Sequence, residues 1–261
     1  MPKFAANLTM LFGEMPFLER FAAAKAAGFN GVEYLFPYDL DRAELREQLD
    51  KHGLIQVLHN LPAGDWAAGE RGIAIFPDRI EEFRDGVFRA IAYAKALDCR
   101  QLNCLVGIAP RDADPRELNE ALVNNLRFAA DALAKEQIKL LVEPINTLDI
   151  PGFFLNRTEQ AAQLIGNVGS SNLFIQYDIY HMQVMEGDIA RTVQEHLTSI
   201  AHIQLADNPG RNEPGTGEIN YNFLFRHLDA IGYRGWVGCE YKPRTTTVDG
   251  LGWHAALTLV T

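Results

Sequence analysis

Apolar positions along the chain switch repeatedly between helical and strand periodicity, and the joints between the two recur. In PFLERFAAAKAAGFNGVEY, Phe17, Leu18, Phe21 and Ala24 share one face of a helix, Pro16 suits its first turn and Gly28 ends it. A short apolar strand follows at once. The same helix–Gly–strand joint returns in LDKHGLIQVLHN and LDAIGYRGWVGCEY, and AKALDCRQLNCLV repeats it with Asp98 in the glycine's place. Recurrence at this spacing marks repeated strand–helix units. Eight strands are expected to begin near Phe4, Gly31, Leu54, Gln101, Lys139, Leu173, Ala201 and Trp236, with amphipathic helices such as Ile80–Ala96 and Pro115–Lys135 between them. A chain of 261 residues, 48% of them hydrophobic, suits one such eight-fold unit. The expected fold is therefore α/β, a single (β/α)8 TIM barrel over residues 1–261, and no Pro/Ser-rich linker or charge block divides it.

Charge and cysteine usage narrow the partners. A formal net charge of −10 argues against a general nucleic-acid or membrane surface, which would need cationic patches, and leaves a small molecule as the expected partner. Cys99, Cys104 and Cys239 are odd in number and lack CxxC spacing, so buried thiols in a reducing compartment are expected rather than disulfides or zinc. Lys3, Glu14, Glu19 and Arg20 interrupt any apolar leader and no run could span a bilayer, which points to the cytoplasm. Assembly into a homo-oligomer is left open.

The expected strands close on Asn7, Glu33, His59, the neighbourhood of Asn103, Glu143, Asp178, Gln204 and Glu240, at the end of the barrel where enzymes of this fold carry their chemistry. Glu143 in LLVEP, Asp178 in LFIQYD, Gln204 in AHIQLAD and Glu240 in WVGCEY offer only oxygen donors, each one strand–helix unit from the next. Such a set suits a hard divalent cation, Mg²⁺ or Mn²⁺. An ion gripping a hydroxyl and an adjacent carbonyl would stabilise an enediolate, and two glutamates flanking that plane could move the proton.

Around this centre, His59 and His181 are candidate substrate contacts, whereas His202 is expected to pack one layer deeper on the Gln204 side. Arg211, Arg71 and Lys242 are the cations nearest the expected mouth, one of which would hold an anionic substrate. Two long loops, NLPAGDWAAGERGIAIFPDR and DNPGRNEPGTGEIN, border it, and Trp66 and Glu70 in the first could close over the site. The glycines of GTGE and AGER follow no strand and are read as turns rather than phosphate loops.

HNLPAGDWAAGERGIA, LLVEPIN, IQYDIYHMQ, QLADNPGRNEPGTGEINY and WVGCEYKP together resemble the hydroxypyruvate isomerase family, from Phe4 to about Trp253. That family belongs to the xylose isomerase-like barrels, whose metal site is Glu–Asp–(His or Gln)–Glu. The resemblance implies reversible conversion of hydroxypyruvate and 2-hydroxy-3-oxopropanoate (tartronate semialdehyde), with Glu143 and Glu240 as proton donor and acceptor and a place in glyoxylate metabolism. It implies Glu143, Asp178, Gln204 and Glu240 as metal ligands, and substrate contact by His181 and Arg211. Gln204 stands where many relatives carry His, which makes the site harder. The terminal HAALTLVT lacks the family's usual aromatic ending. Rival readings are a 2-oxo-tetronate isomerase, a ketose 3-epimerase and a non-catalytic sugar-acid-binding barrel. A DNA-repair nuclease on the same fold is disfavoured by the acidic chain.

Overall fold

The computed structural model describes residues 2–254. Strands β1 (Lys3–Asn7), β2 (Gly31–Glu33), β3 (Ile55–Asn60) and β4 (Gln101–Cys104) form the first half, with helices α1 (Arg20–Ala26), α2 (Arg42–His52) and α3 (Ile80–Leu97) between them. Helix α4 (Pro115–Lys135) leads to β5 (Lys139–Val142), and α5 (Thr158–Val168) to β6 (Leu173–Asp178). The chain continues through α6 (Ile179–Met185) and α7 (Ile189–Glu195) to β7 (Ile200–Leu205), and through α8 (Tyr221–Ala230) to β8 (Trp236–Cys239). All neighbours pair in parallel and in sequence order, and β1 closes the barrel on β8. Among the described residues, no helix is long and apolar enough to cross a membrane.

The recurrent joint works as its residues require. Gly28, Gly53, Asp98 and Gly232 all take positive φ, between 52° and 92°, turning the chain out of a helix and back towards the sheet. Glycine enters that region without a Cβ clash, and aspartate is among the few other residues that tolerate it. Helix starts are set by side-chain caps: Asp41 accepts from the Ala43 N–H and Asp114 from the Arg116 N–H, with Pro115 preset in the first turn. Apolar helix faces and outward strand positions form the main core, while Ala5, Val57, Leu58 and Leu141 pack inside the barrel against Phe174, Ala201 and Trp236.

Two register shifts decide which side chains face the interior of the barrel. Between β2 and β3, Val32 pairs with Gln56 but Glu33 with Leu58. Between β6 and β7, Ile175 pairs with Ile200 but Gln176 with His202. Each bulge reverses the in–out parity downstream of it. At the chain's end, His254 stacks on Phe29, 5.3 Å between ring centroids; the rest of HAALTLVT lies outside the described residues.

Candidate active site

A cavity of ≈ 580 Å³ opens at the C-terminal ends of the strands, lined by Glu143, Glu240, His181, Tyr180, Arg211 and Asp149 among others. Asp178 and Gln204 are fully buried, as Glu33 is. The acidic residues come together because Glu33 and Asp178 end their strands and Glu143 and Glu240 directly follow theirs, all at one end of the barrel.

Asp178 divides its carboxylate between two tasks. Oδ1 caps α6, accepting from the Tyr180 N–H at 2.7 Å and the His181 N–H at 3.2 Å. Oδ2 is buried and has no hydrogen-bond partner among the described residues. A bare buried carboxylate oxygen costs energy unless something positive meets it. Glu143, Asp178 and His181 each bring one ligand atom within 4.8 Å of the others, a geometry that could hold a metal ion.

The two glutamates are partnered differently. Glu143 Oε2 accepts one hydrogen bond, from Asn103 Nδ2 at 2.9 Å. Burial, with the charges of Glu240 and Asp178, raises the Glu143 pKa well above the usual carboxylate range. Glu240 accepts from Arg211 Nη2 at 2.8 Å, Gln204 Nε2 at 2.6 Å and Asn7 Nδ2 at 2.9 Å. Burial raises it too, but Arg211 and Gln204 pull it back, to about 8.

Beneath them runs a network built on Glu33. Its carboxylate meets His202 Nε2 at 2.8 Å, Gln204 Nε2 at 2.7 Å and Asn7 Nδ2 at 3.1 Å. Asn7 and Gln204 each donate to both Glu33 and Glu240, so one pair of amides holds two carboxylates in register. That fixes the orientation of the Gln204 amide, because an oxygen there would face two carboxylates. Its Oε1 turns away to accept from Gln176 Nε2 at 2.6 Å. As arranged, Gln204 offers N–H to Glu33 and Glu240, and Glu33 is the reason. His202 packs on the Gln204 side, as its alternation suggested.

The proton on His181 can be placed by the same logic. Asn146 Oδ1 accepts the Asp149 N–H at 2.7 Å, so Asn146 Nδ2 faces His181 Nδ1, at 2.6 Å. A neutral ring accepting at Nδ1 carries its hydrogen on Nε2, which lies 3.8 Å from Asp178 Oδ2, 4.0 Å from Glu143 Oε1 and 3.5 Å from Arg211 Nη2. Burial pushes the His181 pKa down to about 4, which keeps the ring neutral. Arg211 arrives from the loop after β7, at φ 54°. Asp207 folds that loop: its two oxygens accept five backbone N–H groups, from Asn208, Gly215, Thr216, Gly217 and Ile219, at 2.8–3.1 Å.

Other expectations are only partly met. Trp66 and Lys242 line the cavity, as does Arg71. Glu70 does not: it is ion-paired with Arg79 and accepts the Asp65 N–H at 2.5 Å, fastening the loop instead of covering the site. His59 is likewise absent from the cavity wall. Its ring lies edge-on to Tyr38, 6.1 Å between centroids, with both nitrogens buried and unpartnered among the described residues and its pKa pushed down to about 3 by burial. The β2–β3 bulge explains this, since Asn60 rather than His59 takes the lining position. Gly69 and Gly215 occupy turns at φ 97° and 89°, and all three cysteines are buried and free.

Several contributing residues carry weak signals in the sequence or none. Glu33, Asn7 and Asn103 are visible there only as polar strand ends, and Gln176 by its alternation with Asp178. Asn146, Asp149 and Tyr180 carry no signal of their own.

Residues 21–257 match the family model described as xylose isomerase-like TIM barrel. Hydroxypyruvate isomerase from Escherichia coli (strain K12) is 58% identical over 253 residues, 97% of this chain and 98% of that protein. A 2-oxo-tetronate isomerase from Cupriavidus necator is 49% identical over 97% of each chain. A solved structure from Brucella melitensis, named an AP endonuclease of family 2, superposes with a TM-score of 0.96 at 49% identity, covering 98% of this chain and 99% of that one. With its eight-fold barrel, its carboxylate-rich mouth and this near full-length similarity, the chain belongs to the hydroxypyruvate isomerase family of xylose isomerase-like TIM barrels.

Proposed function

We propose that the protein is an aldose–ketose isomerase interconverting hydroxypyruvate and 2-hydroxy-3-oxopropanoate, with Glu143 and Glu240 as its acid–base pair. The observation that carries the reading is the pairing itself: two buried carboxyls on one cavity, one held by a single amide and the other by a guanidinium and two amides. Unlike partners set unlike proton affinities, which is what a proton shuttle between adjacent carbons needs. One carboxyl removes a proton from C3 of hydroxypyruvate and the other returns one to C2, while the hydroxyl proton passes from O3 to O2. The Nε2–H of His181 is placed to donate to one of those oxygens. Arg211 restrains Glu240, and Asn103 restrains Glu143.

The residues fit a divalent ion at Glu143 and Asp178, where an orphaned carboxylate oxygen lies beside a second acid; oxygen donors favour Mg²⁺ or Mn²⁺. Such an ion supplies positive charge against the developing enediolate. The free buried thiols suit a cytoplasmic setting.

The E. coli relative supports the three-carbon substrate. The Cupriavidus relative favours a second reading, a four-carbon 2-oxo-tetronate on the same site. The name of the Brucella structure suggests a nuclease, which the charge of −10 and the acidic cavity do not favour. Deuterium exchange followed by NMR in D₂O, with both acids in parallel and Mg²⁺ or Mn²⁺ present, tests the proposal. Glu143→Gln and Glu240→Gln should each lose at least about 10²–10⁴-fold in turnover. Near-unchanged turnover in either variant would refute the pairing.

A further inference from the structure

We propose that Arg71 is the anchor for the substrate's carboxylate, an assignment that rests on the isomerase reading and names the group that selects 2-oxo acids over neutral ketoses. Three cations line the cavity. Arg211 is already paired with two acids, 2.8 Å from Glu240 Oε1 and 3.6 Å from Asp149 Oδ2, and its remaining donor, Nε, is buried without an acceptor among the described residues. Lys242 is exposed and held only through its backbone, by the Arg211 carbonyl and the Asn212 side chain. Its flexible ammonium would lose both hydration and side-chain entropy on docking.

Arg71 differs from both. Its guanidinium carbon lies 3.8 Å from the centre of the Trp66 ring, and Nη1 donates to the Trp66 carbonyl at 3.1 Å and the Glu70 carbonyl at 2.7 Å. Nε and Nη2 have no acceptor among the described residues, so one edge of a planar, pre-oriented fork remains unclaimed. No carboxylate among those residues neutralises it. The adjacent acid, Glu70, is consumed by Arg79 and the Asp65 N–H.

The backbone beneath is fixed as well. Gly72 stands at φ 110°, bridges to Val106, and would place a Cβ 2.0 Å from the Leu105 carbonyl oxygen. A cation stacked, braced and lacking a counter-ion at the wall of an acidic cavity is matched by a carboxylate. Neutral ketoses have no group to satisfy it.

The test compares hydroxypyruvate with hydroxyacetone, which keeps the hydroxyl and carbonyl but replaces the carboxylate by a methyl. Arg71→Met should raise KM for hydroxypyruvate about 10- to 100-fold, the loss of a charge-assisted fork. Exchange of hydroxyacetone's hydroxymethyl protons in D₂O should be slow in the parent protein and the same in the variant. Arg71→Lys keeps charge and bulk but not the fork, and should raise KM at least about 5-fold; it carries the test if Arg71→Met does not fold. A KM within twofold of the parent would overturn the assignment. So would equal losses on the two compounds, or a KM effect that follows Lys242→Met instead. A parent protein that exchanges no 2-oxo acid at all would overturn the isomerase reading, and this assignment with it.

Discussion

Replacing Glu240 by Gln should flatten the pH dependence of stability in protein stripped of divalent ions. Burial holds the folded Glu240 carboxyl at about 8, against 4.5 for the free side chain. Between those values the folded chain binds a proton that the unfolded chain has released, so stability falls as pH rises. Two buried histidines act in the opposite sense: His59, at about 3, and His181, at about 4, stay neutral in the fold and protonate on unfolding below 6.5. At pH 6.5 each unfolded imidazole is still half protonated, so the pair adds back about 0.8 kcal/mol by pH 8, equally in the parent and in Glu240→Gln. From pH 6.5 to 8, linkage assigns Glu240 alone a loss of about 1–2 kcal/mol, or about 2–8 °C in Tm for a chain of this size. Glu143 adds to the loss in both proteins, because burial raises it as well. Thermal denaturation in EDTA at pH 6.5, 7.2 and 8 measures the difference. Parallel Tm profiles for the parent and Glu240→Gln, or a parent that gains stability over this range, would refute the reasoning.

Two further substitutions probe the scaffold. Gln204→Leu removes a donor shared by two buried carboxylates, Glu33 and Glu240, and should cost about 3 kcal/mol, read as a lowered denaturant midpoint with an unchanged m-value; a midpoint that does not move would show that the amide holds neither acid. Asp207→Asn leaves one side-chain oxygen to accept where five backbone N–H groups converge on two, so limited proteolysis should begin cutting within residues 208–218 and KM should rise as Arg211 loosens; an uncut loop with unaltered KM would count against that role.

The strand–helix order was readable because each unit is punctuated locally. A positive-φ residue between helix and strand is written in the sequence as Gly28, Gly53, Gly232 or the substitute Asp98, and Pro115–Lys135 begins and ends where its cap and apolar face dictate. The meeting of Glu143, Asp178 and Glu240 was equally legible, since position at a strand's end determines it. Side-chain parity past a bulge was not. Nothing in IQVLHN announces that β3 slips by one against Glu33, and that slip sends His59 to the helix layer and Asn60 to the cavity. The Gln204 amide is oriented by a carboxylate 171 positions earlier, and Glu70 is claimed by an arginine nine residues on, so both depend on closure of the tertiary structure. After Asp178 the chain forms two short helices, broken where Gly187 and Asp188 take φ of 68° and 46°.

The arrangement of charge along the barrel axis also orients a substrate. Glu33, Glu143, Asp178 and Glu240 crowd the floor, and Arg211 is the one arginine in hydrogen-bonding contact with any of them among the described residues. Four buried acids with one committed arginine are short of positive charge, which burial offsets by raising the proton affinity of Glu143 and Glu240 in the bare protein and which a divalent ion would supply in the loaded one. At the wall the imbalance reverses, because Arg71 and Lys242 have no anionic partner among the described residues. A molecule with a carboxylate at one end and hydroxyl and carbonyl oxygens at the other fits this polarity in one orientation only, acid towards Arg71 and oxygens towards the floor. Reversed, it would set its carboxylate against Glu143 and Asp178. The same field gives a neutral sugar no such preference, so discrimination by Arg71 should weaken as ionic strength rises, most for hydroxypyruvate and hardly at all for hydroxyacetone.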